Sequence, residues 1–138
     1  MAMHSTNYCK TFIEIAEDCP VVSGEVPPQK GEKKTVANLQ FDMLKDDPYR
    51  YTSDDVLFAV YATRRDIPKD DWEAERAQFF SKGQPCFRAS PLTKRYGWGV
   101  HSNADGKIAL VGRETRAYEG FVSDASLEKT RAMRSKRK

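Results

Sequence analysis

A cysteine and a histidine within one short segment are the first residues of this sequence whose chemistry could be catalytic. Cys86 and His101 are fifteen positions apart, and Arg88 follows the cysteine by two. A thiol becomes a nucleophile when a base or a cation lowers its pKa, so this set predicts, as one alternative, a thiol-dependent enzyme using Cys86 with His101. The structural interpretation is a buried thiol, because cysteine is among the most often buried residue types and Pro85 and Phe87 flank it. No cysteine-protease or thioredoxin motif accompanies the pair.

Cations interleaved with aromatic side chains occupy the same segment. Guanidinium groups bind oxyanions through paired hydrogen bonds, and tyrosine or tryptophan rings stack on planar ligands. Gly97 and Gly99 flank Trp98 and would let a ligand approach the backbone closely. Alternatively, Trp98 packs in the core and the glycines form a tight bend where a strand starts. We favour a site for an anion or small ligand in segment 84–101. Its candidate binding residues are Arg88, Lys94, Arg95, Tyr96, Trp98 and His101.

A basic tail ends the chain. Residues 128–138 hold six cations and one acid, and without them the net charge changes from +3 to about −2, with 17 cations and 19 acids. Such a tail predicts, as a second alternative, a nucleic-acid-binding or ribosome-associated accessory protein that contacts phosphates electrostatically. A solvated chain end is the plainer interpretation, since the tail contains no aromatic residue. The candidate contacts are Lys129, Arg131, Arg134, Lys136 and Arg137.

Charge is also unevenly distributed in the body of the chain. Residues 76–104 carry five cations and no acid, whereas residues 41–75 carry ten acids and five cations. This asymmetry indicates an anion-facing side or a self-complementary surface. Three aspartate pairs raise the question of a metal, but helix dipoles explain two of them and no metal-binding motif is present, so no metal site is predicted. The pairs are Asp46–Asp47, Asp54–Asp55 and Asp70–Asp71.

Size and composition predict one cytoplasmic domain. The chain has 138 residues, of which 39% are hydrophobic and 31% charged, and its mean hydropathy is −0.71. It contains no apolar run of the roughly 18 residues that a membrane span needs, and its first residues lack the apolar core of a signal peptide. The three cysteines form no CxxC pair, and an odd number without an export signal favours reduced thiols. The residues point to no particular cofactor or oligomeric state.

Hydrophobic periodicity and capping residues predict the helices that must position these groups. Thr35 and Ser53 are suitable N-caps, and Gly83 is a suitable C-cap. For residues 54–63 a strand is the rival prediction, because the run is rich in β-forming side chains. Helices are predicted over 35–45, 54–65, 70–82 and 114–122, with a last one starting at Asp124 or Ser126 and running into the tail.

Strands are predicted over 11–16 and 86–89, and a hairpin is predicted near 98–111. In the hairpin, an Asp-Gly turn separates two β-prone runs, 98–102 and 107–111. The sequence therefore predicts an α+β fold: one compact domain over residues 1–127 with a small antiparallel sheet and four or five helices. Residues 128–138 are predicted to be a partly disordered basic tail.

Five blocks of the chain together resemble a family of small, mostly bacterial proteins of unknown function. The blocks are TFIEIAEDCP, KTVANLQFDMLKDDPY, YTSDDVLF, SKGQPCFRASPLTKRYGWGVHS and TRAMRSKRK. The resemblance covers nearly the whole chain, and the fourth block is its most specific part. It implies a free-standing, soluble, intracellular domain, and it assigns no activity and no functional residue. The expected function is thus that of a small binding or accessory protein with its site in segment 84–101.

Overall fold

The computed structural model describes residues 4–135. In this part of the chain, four strands form one sheet, and five α-helices and two short 3₁₀ turns surround it. The strands are β1 (Thr11–Glu14), β2 (Trp98–Ser102), β3 (Ile108–Gly112) and β4 (Glu128–Arg131). The helices are α1 (Val36–Leu44), α2 (Ser53–Arg64), α3 (Trp72–Phe79), α4 (Pro91–Lys94) and α5 (Arg116–Ser123). The 3₁₀ turns span Lys69–Asp71 and Phe87–Ala89.

The sheet has the order β3-β2-β1-β4 and is mixed. The predicted hairpin is confirmed: β2 and β3 pair antiparallel, with Val100 opposite Leu110. Its turn is held by Asn103, whose Oδ1 accepts hydrogen bonds from the backbone N–H groups of Asp105 and Lys107. The predicted antiparallel sheet is extended by one parallel pair, because β4 returns from α5 and lies parallel to β1.

Helices cover both faces of the sheet, as its alternating side chains require. On one face, Ile13, Val100 and Ile108 form a core with α1, α2 and the buried Phe87. On the other face, Phe12 packs edge-on against Tyr118 of α5, with ring centroids 5.0 Å apart. The α+β fold with five helices around one small sheet confirms the prediction from sequence. Neighbouring side chains along a strand therefore lie on opposite sides of this sheet.

Capping side chains determine where α1 and α2 begin. Thr35 caps α1 as predicted, and its capping box with Asn38 is complete on both sides. Residues 54–63 are helical, and the cap of α2 is Thr52 instead of Ser53, with Asp55 bonding back to the Thr52 backbone N–H. Such reciprocal bonds satisfy backbone donors that the first turn of a helix leaves unpaired, and this favours a helix over the rival strand.

Three element predictions are wrong. Helix α3 ends at Phe79 with Phe80 as its C-cap, so Gly83 does not cap it. The strand predicted over 86–89 is instead the 3₁₀ turn Phe87–Ala89. Phe87 is buried there, and the backbone hydrogen bonds are local, such as the one from the Ala89 N–H to the Cys86 carbonyl. The last predicted helix is replaced by β4. After α5, the Asp124 carboxylate accepts from the N–H of Ser126, and this turn directs the chain back to β1.

Candidate functional site

A cleft of about 700 Å³ lies between α1, α2 and the segment that leads into α4. A neighbouring depression of about 450 Å³ shares four lining residues with it, and the two form one continuous surface that we call the α1–α2 cleft. The shared residues are Val36, Arg64, Ala89 and Pro91. The volume is typical of sites for small ligands, which span about 300–1,000 Å³.

The charged side chains that line the α1–α2 cleft are all cationic. Arg64 and Arg65 come from the end of α2, and Lys94 and Arg95 come from the end of α4. Among residues 4–135, no acidic residue lines the cleft, and the side chains of Arg64, Lys94 and Arg95 make no ion pair or hydrogen bond. Arg76, outside the cleft, instead pairs with Asp55 at 2.9 Å. The cleft therefore carries positive charge that the described fold does not compensate.

A buried amide forms part of the cleft wall. Gln40 is only 2% exposed, and its Oε1 accepts a hydrogen bond of 2.5 Å from Ser90 Oγ. Ser90 Oγ also accepts from Leu92 N–H as the cap of α4, so the hydroxyl both donates and accepts. Gln40 Nε2 makes no hydrogen bond with any residue that the structure describes.

The remaining walls of the cleft are mostly apolar. Leu57, Val60 and Tyr61 project from α2, and Phe79 comes from the end of α3. The rings of Tyr61 and Phe79 lie 4.5 Å apart, and the guanidinium of Arg65 lies 4.7 Å from the Tyr61 ring centroid. The cleft thus combines an apolar wall, a buried amide and a cationic rim.

The structure does not bring Cys86 and His101 together. Cys86 is half-buried in the wall of the α1–α2 cleft, where its Sγ lies 3.4 Å from Tyr8 Oη, and this hydrogen bond raises the pKa of Tyr8. His101 lies on the face of the sheet that α5 covers. Its ring stacks on Phe121 at 4.2 Å, and its Nδ1 lies 2.8 Å from Tyr49 Oη. The sheet separates the two residues, so His101 is not placed to act as a base for Cys86.

His101 has a distinct environment of its own. Burial lowers its pKa below the ordinary 6.5, and the nearby Asp124 carboxylate opposes this shift. Burial also raises the pKa of Tyr49, so its phenol stays protonated and is able to donate to a neutral His101 Nδ1. A neutral imidazole that accepts at Nδ1 carries its proton on Nε2.

Two other residues of the predicted site hold parts of the fold together. Arg88 Nε donates to the backbone carbonyl of Arg131 at 2.7 Å and so connects the 3₁₀ turn to β4. Trp98 Nε1 donates to the carbonyl of Glu25 at 2.8 Å, and its ring packs against Phe41 at 5.6 Å. Neither residue lines the cleft, which leaves Lys94, Arg95 and Tyr96 as the predicted residues that do.

The glycines beside Trp98 accommodate the chain itself. Gly97 has a φ of +79°, and a Cβ there would lie 2.3 Å from the carbonyl oxygen of Ser23. A Cβ on Gly99 would lie 2.6 Å from the ring of Phe12. The space beside these glycines is therefore filled by the chain itself. The loop at Ser23 lies against Gly97, and the ring of Phe12 lies against Gly99.

The described cations of the basic tail bond within the fold. Lys129 Nζ donates to two backbone carbonyls between α5 and β4. Arg131 lies 3.6 Å from Glu14 and 3.7 Å from Glu17, and Arg134 lies 3.4 Å from Glu17. Two further residues of that prediction lie outside the described residues: Lys136 and Arg137.

The described residues contain neither a metal-binding cluster nor a membrane-spanning helix. Within residues 4–135, no three histidine, cysteine, aspartate or glutamate side chains are grouped so that they could hold a metal ion. None of the helices described is both long and apolar enough to span a membrane.

The fold and the α1–α2 cleft define an α+β domain with a cationic groove on one side of its sheet. The chain matches a family of unknown function (DUF6157) over residues 3–138, and it belongs to that family. This confirms the resemblance seen in the sequence blocks. No curated protein and no solved structure matches the chain.

Proposed function

We propose that this protein is a binding domain whose α1–α2 cleft takes a small anionic ligand. The observation that carries the proposal is the set of cations around the cleft, three of them without a side-chain partner in residues 4–135 and with no acidic residue among the lining. The amino end of α1 also borders the cleft at Thr35–Ala37, where the helix dipole adds positive potential. Of the residues chosen from sequence, Lys94, Arg95 and Tyr96 belong to this site.

Hydrogen bonds to charged groups give this site its expected affinity. Each such bond contributes roughly 1.5–3 kcal/mol, more than a bond between neutral groups. Because Arg64 and Arg95 are exposed, salt screens their attraction for an anion, with a Debye length of about 8–10 Å near physiological ionic strength. Binding is therefore expected to weaken as salt is raised.

The two alternatives predicted from sequence receive less support from the geometry. A thiol-dependent enzyme using Cys86 with His101 would need the two groups on one side of the sheet. A nucleic-acid-binding tail would need its cations for phosphates. Three of them, Lys129, Arg131 and Arg134, bond to other groups of the chain instead. The proposal includes a cytoplasmic location, which the composition predicts, and an accessory role.

Titration with anilinonaphthalene sulfonate, a fluorescent aryl sulfonate, tests the anion site. We expect the Arg64→Gln/Arg95→Gln variant to bind this probe at least about tenfold more weakly than the wild type, which corresponds to about 1.4 kcal/mol. The matched control is Arg116→Gln/Lys107→Gln, which removes two exposed cations away from the cleft and is expected to bind like the wild type.

Equal losses in the two double variants would show that net charge matters and the cleft does not. Unchanged affinity in Arg64→Gln/Arg95→Gln would overturn the proposal. Thermal unfolding of each variant shows whether it is folded, and the exposed positions make all four substitutions compatible with the fold.

A further inference from the structure

We propose that Gln40 is the specificity-determining residue of the α1–α2 cleft and that the ligand is an amphipathic organic anion with an oxygen acceptor for Gln40 Nε2. This inference rests on the proposed function and extends it from charge to ligand class. It joins three features of the cleft: the buried amide, the apolar wall and the cationic rim.

The orientation of Gln40 is the first step. Its Oε1 is occupied by the Ser90 hydroxyl, whose own acceptor capacity serves the Leu92 N–H. In this orientation the Ser90 hydroxyl donates to Oε1, and Nε2 remains as the free donor of the amide. Since Gln40 is 2% exposed, lines the cleft and has no partner for Nε2 within residues 4–135, this donor is directed at the cleft.

The position of Gln40 in α1 is the second step. Its neighbours one turn away on the same helical face, Ala37 and Leu44, are buried apolar residues. Within residues 4–135 every fully buried side-chain polar atom has a hydrogen-bond partner, so the unpartnered Nε2 is the part of this amide that solvent reaches through the cleft. A ligand oxygen that accepts from Nε2 would take the place of water there, as acceptors in ligand sites commonly do.

The apolar wall gives the third step. A bare inorganic anion would contact the cations but would leave the accessible parts of Leu57, Tyr61 and Phe79 in contact with water. An aryl or alkyl body against these side chains removes apolar surface from water on both partners, which favours binding. The combination selects a molecule with an apolar body and an oxyanion, such as an aryl or alkyl carboxylate.

Three probes separate these contributions by displacing anilinonaphthalene sulfonate from the wild-type protein. Phenylbutyrate has both the apolar body and the charge, phenylbutyramide has the body without the charge, and inorganic phosphate has the charge without the body. We expect phenylbutyrate to displace the fluorophore at concentrations at least about tenfold lower than either of the other two, because only it uses both parts of the cleft.

Two readouts address Gln40 directly. In the amide-correlated NMR spectrum of the wild type, the Gln40 side-chain NH₂ signals are expected to shift on addition of phenylbutyrate. The Gln40→Glu variant keeps an acceptor for Ser90 but replaces the donor, and we expect it to bind phenylbutyrate about tenfold or more weakly. Gln40→Met, which removes the donor without adding charge, should show a loss in the same direction.

The outcomes distinguish this inference from the proposed function. If the Gln40 NH₂ signals do not move, or if phosphate displaces the fluorophore as well as phenylbutyrate does, the inference is overturned while an anion site stands. If binding of every probe is indifferent to Arg64→Gln/Arg95→Gln, the proposed function itself fails. Should the Gln40 variants not fold, the wild-type NMR titration alone decides.

Discussion

At the scale of single residues, His101 links burial to a dependence on pH. Its folded-state pKa is lowered by burial, so the unfolded chain takes up a proton at higher pH than the folded one. The stability contributed by the neutral imidazole is complete above the ordinary pKa of 6.5 and is lost as the pH falls towards the folded-state pKa. In the protonated imidazole Nδ1 carries a hydrogen, so the Tyr49 hydroxyl 2.8 Å away can then only accept from it.

We predict that the wild type loses more stability than His101→Gln between about pH 7.5 and pH 5.5. Glutamine cannot be protonated in this range, so the slope that His101 contributes disappears. Urea unfolding at several pH values measures the difference. The only other histidine in the chain, His4, is present in both proteins and cancels. Identical pH slopes would contradict the assignment.

The residues of the candidate site were only partly predictable. The alternation of cations and aromatics in segment 84–101 is enough to select Lys94, Arg95 and Tyr96, which line the cleft. Gln40 falls at the spacing of the apolar residues of α1, and spacing alone does not distinguish a buried amide from a packing residue. The sequence does contain a signal for Gln40, because a polar residue at an apolar position of a helix indicates a buried hydrogen bond. Arg64 could be assigned only to the dipole at the end of α2, because its position at a cleft depends on tertiary packing.

At the scale of elements, α1 positions both Gln40 and the cationic end of the cleft. The helix begins at Thr35, whose hydroxyl accepts from the Asn38 N–H while the Asn38 side chain accepts from the Thr35 N–H. Asn38 also donates to the carbonyl of Pro27, which fastens the preceding loop to the helix. The start of α1 is therefore determined by side-chain bonds as well as by packing.

We predict that Thr35→Ala lowers the free energy of unfolding by about 1 kcal/mol, because it removes the N-cap of α1. Thr63→Ala is the matched control: this threonine lies near the end of α2, is exposed and caps nothing, so its replacement is expected to be nearly neutral. Chemical denaturation of the two variants measures both effects. Equal changes in the two variants would argue against the capping box.

The elements themselves were predictable where local signals suffice. Caps and helical periodicity identified α1, α2 and α5, and an Asp-Gly turn identified the hairpin. The turn at 87–89 and the strand β4 were not identified. In the first case a buried phenylalanine and local bonds override a β-prone run. In the second, a four-residue strand gains its identity only from parallel pairing with β1, more than a hundred residues away.

At the scale of the whole molecule, the sheet joins the two ends of the described chain and separates two chemical environments. Its pairing of β1 with β4 is strengthened by Arg131 and by the Ala132 N–H, which donates to the Glu14 carbonyl. Residues 128–131, at the start of the basic tail predicted from sequence, thus form part of the sheet. The cleft with Cys86 lies on one side of the sheet, and the Tyr49–His101 pair lies on the other.

We predict that deleting residues 128–138 lowers the free energy of unfolding by at least about 3 kcal/mol, since several sheet hydrogen bonds of roughly 1 kcal/mol each are lost. Deleting only residues 136–138 is the control, because it removes three of the six tail cations and leaves β4 intact. Thermal and urea unfolding compare the two. A protein that tolerates the longer deletion without loss would show that β4 is not needed for the fold.

The most direct measurement of the central claim is a crystal structure of the wild type with iodophenyl butyrate, located by the anomalous scattering of iodine. We predict one iodine peak inside the α1–α2 cleft, against Tyr61 and Phe79, at ligand concentrations that saturate the protein in solution. An iodine found only outside the cleft, for example on the α5 face of the sheet, would contradict the proposed function. So would an empty cleft at a saturating concentration.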